Sequence, residues 1–285
     1  MDNRKKTSGF DWLMWIDDRI ISLYNLFKRI HFHLFRYRSR YKLAKNRDLK
    51  NKHLGQRCFI VGNGPSIKNQ DLTLLQDEQT FFVNYFYKHP QILAIKPKYY
   101  AIVDPKLATG EWPLSMLDEI LNTCPNTCLL LAAQYQHLPE ILAYESKANI
   151  YWLYGNQFLH EGFECSVDLT QCLGGANVIT LCLFAAIYMG FKEIYLLGID
   201  CDGIFRDLVD QSSHFYESQK ENIGDNDPDL VVRHLRSCIQ GIRGWSVIAR
   251  KFKNSPCRIV NLTQGGLLNA FPRQDFTTTV VKSWQ

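Results

Sequence analysis

The sequence predicts an α/β protein built on a doubly wound, mostly parallel sheet, and three observations carry that expectation. Short apolar runs recur from Arg57 onward, and each ends at a polar residue or a glycine. Helix-like stretches separate them, and no two-residue hairpin turn joins any pair. A chain of 285 residues with 46% hydrophobic and 13% aromatic content is long enough to bury one large core, or a core with an appendage.

The first element lies outside that sheet. Phe10 to about Leu43 contains neither Pro nor Gly and is expected to be a helix, with Leu13, Ile16, Ile20, Leu23, Phe27, Ile30 and Leu34 at alternating gaps of three and four on one seam. Trp12, Trp15, Tyr24, Phe32 and Phe35 flank the seam, and Lys28, Arg29, Arg36, Arg38 and Arg40 gather towards its C-terminal end. Three readings fit this amphipathic helix: packing onto its own body, pairing in a homo-oligomer, and lying on a membrane surface as a peripheral contact. Residues 1–55 hold 14 Lys/Arg against 5 Asp/Glu, a net +9, whereas residues 56–285 carry 19 against 23. A basic arm on a slightly acidic body points to an anionic partner for the arm and excludes a nucleic-acid binder basic throughout. Asn46 to Gln56 reads as a polar linker, so the expected division is an arm and linker over 1–55 and a folded domain over 56–285.

Within that domain Arg57–Val61, Thr80–Val83, Tyr99–Val103, Cys128–Ala133, Ile150–Leu153, Glu193–Leu197 and Cys257–Leu262 are the expected strands, and Asn177 to Met189 an apolar helix. The nine cysteines are odd in number and scattered, which favours reduced thiols and a cytoplasmic setting. Cys124 and Cys128 lack a second Cys/His pair to complete a zinc site, so no metal is expected there. No secretory signal is evident, and the uncharged apolar stretch Ile20–Phe27 is far short of the ~18 residues that a membrane span requires.

The chemistry is expected at the strand ends. Gly62-Asn63-Gly64-Pro65-Ser66 follows a strand and precedes a helix-like stretch; its glycines permit a sharp turn and close approach, and its N–H groups face an anion. The third glycine of a dinucleotide fingerprint is absent, as is the G-K-[ST] of a Walker loop. Open α/β sheets bind ligands at the carboxyl ends of their strands, so Asn63, Ser66, Asn84 and Asp104 should converge on one rim. A second turn, Gly174-Gly175-Ala-Asn177, opens the apolar helix, where it serves either a phosphate or close helix packing.

Four motifs in order, the strand-Gly-Asn-Gly-Pro-Ser turn, Val83-Asn84-x-Phe-Tyr87, Tyr100-x-x-x-Asp-Pro105 and Met189-Gly-Phe-Lys-Glu-Ile-Tyr-Leu-Leu-Gly-Ile-Asp200, resemble the bacterial sialyltransferases of the Campylobacter type. They are similar as well to the related MptE-like and motility-accessory families of flagellin glycosylation. The resemblance covers about Arg57 to Pro272 and leaves out the N-terminal arm. It implies a Rossmann-like, sialyltransferase-like glycosyltransferase domain with a lid segment over a CMP-sugar donor. An acidic sugar, sialic-acid-like or Kdo-like, would pass with inversion to a cell-surface glycan or lipid-linked acceptor, in the cytoplasm or at the inner face of the membrane. By motif position Asn63 and Ser66 would touch the donor phosphate and nucleotide, Asn84 the sugar or ribose, and Asp104 would replace an asparagine. The Gly174–Asn177 turn would stand near the cytidine.

The departures from the family pattern bear on the leaving group and the base. Asp200 is followed by Cys201 and Asp202 where the resemblance calls for phosphate-binding tyrosines, and carboxylates repel a phosphate. Two repairs fit: Arg206 neutralises the phosphate, or Asp200 and Asp202 hold Mg²⁺; otherwise no cofactor is expected. Ser212-Ser-His-Phe-Tyr216 resembles the stretch before the family's catalytic histidine, but Glu217 stands at that histidine's position. His214 and Glu217 therefore compete as general base, within a polar segment, Asp207 to Pro228, that reads as the lid. The alternatives are an MptE-like pterin diphosphokinase using ATP and Mg²⁺, and a non-catalytic nucleotide-binding accessory protein.

Overall fold

A computed structural model describes residues 12–162, 166–175, 177–209, 211–216 and 228–281. Seven strands form one parallel sheet: β1 (Arg57–Val61), β2 (Gln79–Val83), β3 (Tyr99–Ile102), β4 (Cys128–Ala132), β5 (Ile150–Leu153), and two more that follow a short pair, β6 (Gly155–Gln157) and β7 (Leu173–Gly174). These last two are β8 (Glu193–Leu197) and β9 (Arg258–Asn261), and the order across the sheet is β5-β4-β3-β2-β1-β8-β9. All seven expected strands are present to within two residues at either end. They were legible because a parallel sheet is buried on both faces, which turns each strand into a continuous apolar run.

Alternation along each strand splits the core in two. Phe59, Val61, Phe82, Tyr100, Leu129, Trp152 and Leu197 face one side. Cys58, Ile60, Phe81, Tyr99, Leu130, Tyr151 and Leu196 face the other, beneath the helix Val178–Tyr188. That helix is apolar all round because it lies inside the second layer, with Thr180, Leu181, Cys182, Leu183 and Phe184 all buried. Asn177 caps it: its side chain accepts from Thr180 N while the Thr180 hydroxyl sits against the Asn177 backbone, a reciprocal capping box. The described cysteines are all unpaired by disulfides, in line with the reading of reduced thiols.

The N-terminal region departs from expectation in two ways. The expected single helix is two, α1 (Trp12–Phe35) and α2 (Tyr37–Leu43), because Arg36 leaves helical geometry at φ −104°, ψ 44°. The stretch expected as a polar linker is packed instead. Ala44–Leu49 is a 3₁₀ helix in which Asn46, wholly buried, donates to Trp152 O at 2.7 Å and Leu169 O at 2.8 Å. Beyond it Asn51, His53 and Gly55 donate their amides to Tyr188, Met189 and Gly190. A polar composition concealed this, since the polar groups are spent on backbone partners rather than on water.

Phe32 and Leu43 are fully buried in the first core layer. Deleting residues 1–45 is therefore expected to lower the thermal midpoint by at least several degrees, because two large apolar side chains leave the core, about 2–5 kcal/mol each by analogy with core truncations. Differential scanning fluorimetry of the truncated and full chains checks this.

Candidate functional site

The sheet order fixes where a ligand cleft can form. From β1 the chain winds outward through β2, β3, β4 and β5, then returns to lay β8 and β9 on the other flank of β1. The loops after β1 and β8 therefore diverge above adjacent strands, the switch point at which open α/β sheets leave a crevice. Those loops are the Gly62–Ser66 turn and the Gly198–Asp202 segment. They are cross-linked by Gly62 N donating to Leu197 O at 2.8 Å and Gly64 N to Gly198 O at 2.9 Å.

The glycines of the first turn have a reason other than the expected ligand approach. A Cβ on Gly64 would stand 1.7 Å from Asp200 Oδ2, and one on Gly62 would stand 2.5 Å from Gly198 O. The space a side chain would take is occupied by the protein's own second loop. Ser66 Oγ then donates to Asp200 Oδ2 at 2.8 Å, so Ser66 anchors a carboxylate rather than facing open space. Asp200 is 4% exposed; burial, and after it the nearby Asp202 charge, raises its pKa, while the Ser66 bond pulls the other way.

Around this point lies a set of acceptor oxygens without donors. Asp200 Oδ1, Asp202 Oδ1, Asn63 Oδ1 and Asn84 Oδ1 are all buried and unbonded within the described residues. Asn63 spends its amide on Val83 O at 3.3 Å, which ties the end of β1 to the end of β2. Asn84, next in the chain, sits in the left-handed region at φ 51°, a conformation asparagine tolerates better than most residues. Unsatisfied buried acceptors are costly, and a nucleoside's hydroxyl and amino groups or a cation would satisfy them.

Asp202 also holds Arg206: Nε donates to Oδ2 at 2.8 Å, one helical turn apart. Arg206 Nε is thus committed to Asp202, and the far edge of the guanidinium is the part that can face an anion. Among the described residues no group of three or more His, Cys, Asp or Glu is arranged to hold a metal. Mg²⁺ at Asp200 and Asp202 would thus rest on two carboxylates with water and substrate oxygens, a mode typical of this ion. The two orphan carboxylate oxygens fit it.

The segment Ser212–Tyr216 lies across the switch point. Phe215 N donates to Asn63 O at 2.9 Å, and the Phe215 ring packs against Phe86 and His89 at centroid separations of 5.4 and 5.1 Å. Tyr216 packs on Tyr85 at 5.5 Å, and His214 stacks on Tyr216 at 5.0 Å. His214 Nδ1 is 3.1 Å from Ser213 Oγ. When Nδ1–H is the donor in that bond, Nε2 carries the lone pair that a base needs. His214 lines an open cleft of about 360 Å³ together with Asn177, Asp207, Cys201 and His234.

His234 and Asp207 were not singled out by sequence reasoning. The signal for His234 was Pro228 followed by Asp229, a helix start that places it near the first turns of the 25-residue helix Pro228–Phe252. Burial pushes the Cys201 thiol up to about 12, which leaves it protonated and inert.

Of the remaining expected residues, Glu217 falls outside the described residues. Asp104 is turned to local work: Oδ1 accepts from Lys106 N at 2.9 Å and its backbone oxygen accepts from the Tyr135 hydroxyl. Gly174 pairs in β7 with Gln157, and a Cβ on Gly175 would meet Thr180 Oγ1 at 2.9 Å. Close packing against the helix accounts for that glycine. The residues brought together are therefore Gly62, Asn63, Gly64, Ser66, Asn84, Asp200, Asp202 and Arg206 at the switch point, with Asn177 and His214 in the adjoining cleft.

No curated protein matches the chain. Among solved structures, the sialyltransferase CstII from Campylobacter jejuni, in complex with the substrate analogue cytidine-5'-monophosphate, is similar at 18% identity over 77% of this chain and 85% of that one, with a TM-score of 0.42. A point variant of the α-2,3/8-sialyltransferase CstII is similar at 16% identity over 76% and 86%, with a TM-score of 0.40. The family model described as 6-hydroxymethylpterin diphosphokinase MptE-like matches residues 37–204 and so spans both loops of the switch point, and the chain belongs to the MptE-like family.

Proposed function

We propose that the protein is a glycosyltransferase that moves an acidic sugar from a CMP-sugar donor to a glycan or lipid-linked acceptor. The observation that carries this reading is the docking of Ser212–Tyr216 on Asn63, which sets His214 in a cleft beside the nucleotide crevice. The unpaired acceptors Asn63 Oδ1 and Asn84 Oδ1 suit the amino and hydroxyl donors of a nucleoside. His214 takes the proton of the acceptor hydroxyl while that oxygen attacks the anomeric carbon, and the bond from this carbon to the CMP phosphate oxygen breaks. The far edge of the Arg206 guanidinium offsets the charge on the departing phosphate. Asp200 and Asp202 would hold Mg²⁺, which would supply further positive charge there. Residues 56–285 carry this activity, and nothing in it calls for nucleic acid.

Replacing His214 with Ala is expected to lower kcat by about 10²-fold or more while CMP affinity is kept, the usual loss for a general base. CMP release from a panel of CMP-sugars, measured on wild type and variant, tests the assignment. Near-normal turnover in that variant, together with its loss in Glu217→Gln, would move the role to the carboxylate.

A second reading is diphosphate transfer from ATP to a hydroxymethylpterin, the activity in the family's description. The observation in its favour is the carboxylate pair with two unpaired oxygens, which suits a magnesium-bound diphosphate better than a lone phosphate. AMP formation from ATP and pterin, with no CMP release from any donor, would select it.

A further inference from the structure

Helix α1 is mounted with its apolar face outward. Only Asp18, Asn25 and Phe32 are buried along its 24 residues, one every seven, so it touches the body along a single line. The line is specifically built. Arg243 reaches both carboxylate oxygens of Asp18 at 2.7 and 2.6 Å, with both side chains nearly buried. Asn25 donates to Phe158 O at 2.8 Å and accepts from Phe158 N at 3.0 Å, and Phe32 packs on Tyr154 at 4.9 Å.

At about 100° per residue, Ile20, Phe27 and Leu34 sit on the opposite side of the helix from those anchors. They are 62%, 65% and 66% exposed. Of the 24 large apolar side chains exposed among the described residues, 15 lie between Trp12 and Tyr41. Packing of the seam onto its own body is thereby excluded for the described residues, and the face requires a partner.

Charge selects between the two remaining occupants. Residues 12–43 carry seven Lys/Arg against two Asp/Glu. Arg19 lies over the Trp15 ring and Lys28 over Tyr24, at 5.5 and 5.0 Å, so the cations border the aromatics of the apolar face. Exposed Arg36 and Arg38 extend the basic border past the helix end. A second copy would bring like charges together, whereas a bilayer surface with anionic lipid meets both the apolar face and its basic border. No described helix is long and apolar enough to cross a membrane, so a bilayer that meets α1 would meet it along the surface.

We propose that α1 is a peripheral membrane helix that inserts its Ile20–Phe27–Leu34 face into the headgroup boundary of an anionic bilayer. The junction of α1 and α2 also walls an open cleft of about 860 Å³ with Ala133, His137 and Tyr154, at the carboxyl ends of β4 and β5. That cleft opens at the same carboxyl edge of the sheet as the switch point but shares none of its residues, and membrane binding by α1 does not depend on the proposed transfer reaction.

The test is co-sedimentation of the full chain with phosphatidylcholine vesicles containing no or about 30% phosphatidylglycerol, with oligomeric state followed by light scattering. Wild type is expected to pellet with the anionic vesicles and to be partly released by about 0.5 M salt, which screens the basic border. Ile20→Glu with Phe27→Glu is expected to lower the partition coefficient about tenfold or more without moving the thermal midpoint, since both side chains face solvent. Arg36→Glu with Arg38→Glu should lower binding to anionic vesicles while keeping the apolar face. Wild type left in the supernatant overturns the proposal, as does binding indifferent to Ile20→Glu with Phe27→Glu. So does a dimer that falls to monomer in that variant without vesicle binding, which would assign the face to a second copy.

Discussion

Replacing Gly64 with Ala is expected to abolish nucleotide binding and to destabilise the fold by about 1–3 kcal/mol, the usual range for a methyl forced into filled space. The added Cβ would fall 1.7 Å from Asp200 Oδ2 and 2.7 Å from Gly198 O, so neither loop can stay where it is. Moving the Asp200 carboxylate breaks its bond to Ser66 and withdraws it from the crevice. Thermal denaturation with and without CMP measures both effects. The companion Gly64→Ala with Asp200→Gly should recover part of the stability but not the binding, because it removes the carboxylate and its collision while the 2.7 Å approach to Gly198 O remains. Gly241→Ala is the control for the substitution itself: nothing lies within 4 Å of its Cβ position, and in mid-helix the change should stabilise by up to about 1 kcal/mol.

Arg243→Ala is expected to cost about 3–5 kcal/mol, the range for breaking a buried ion pair from one side. The Asp18 side chain is only 7% exposed, and removal of the guanidinium would leave its charge without a counterion inside the contact between α1 and the helix Pro228–Phe252. Urea denaturation measures the loss, and proteolysis should begin within α1. Replacing both partners with apolar residues, Asp18→Leu with Arg243→Met, should recover most of it, since a matched apolar pair costs no desolvation. Stability unchanged in Arg243→Ala would show that α1 is held by its other contacts alone.

The sheet was legible in the sequence and the mounting of α1 was not, for a common physical reason. Strands buried on both faces announce themselves as uninterrupted apolar runs, and Asn177 announces the helix it caps. A periodic apolar seam announces a helix but not which way the seam points. The informative residues in α1 were those off the seam: Asp18, Asn25 and Phe32 recur every seven positions, and the two polar ones are held by Arg243 and by the Phe158 backbone.

The candidate site was legible in its parts and not in its wiring. The rim residues Asn63, Ser66 and Asn84 follow from strand ends in a doubly wound sheet, and Asp200 from the family resemblance. Distance along the chain hid that Gly64 is a glycine on account of Asp200, 136 positions later. Asp104 also follows a strand, and the Pro105 turn makes its Oδ1 a cap for Lys106 N while its charge still acts on Tyr85 and Tyr216 at the rim. The short pair β6 and β7 escaped notice because Gly155–Gln157 has no strand-forming side chain, and it forms where Gln157 O receives Gly175 N.

Calorimetric titration of CMP into wild type and Asn63→Ala, with and without Mg²⁺, tests most directly the proposed nucleotide site at the junction of β1 and β8. The Asn63 amide donates a long 3.3 Å bond to Val83 O and meets the Tyr216 hydroxyl, so its loss should cost about 1–2 kcal/mol of stability and leave the fold intact. The predicted result is saturable binding to wild type and an affinity at least about tenfold weaker in the variant, about 1.4 kcal/mol, with the free protein still folded. Equal affinity in the two proteins would contradict the account and put the nucleotide elsewhere.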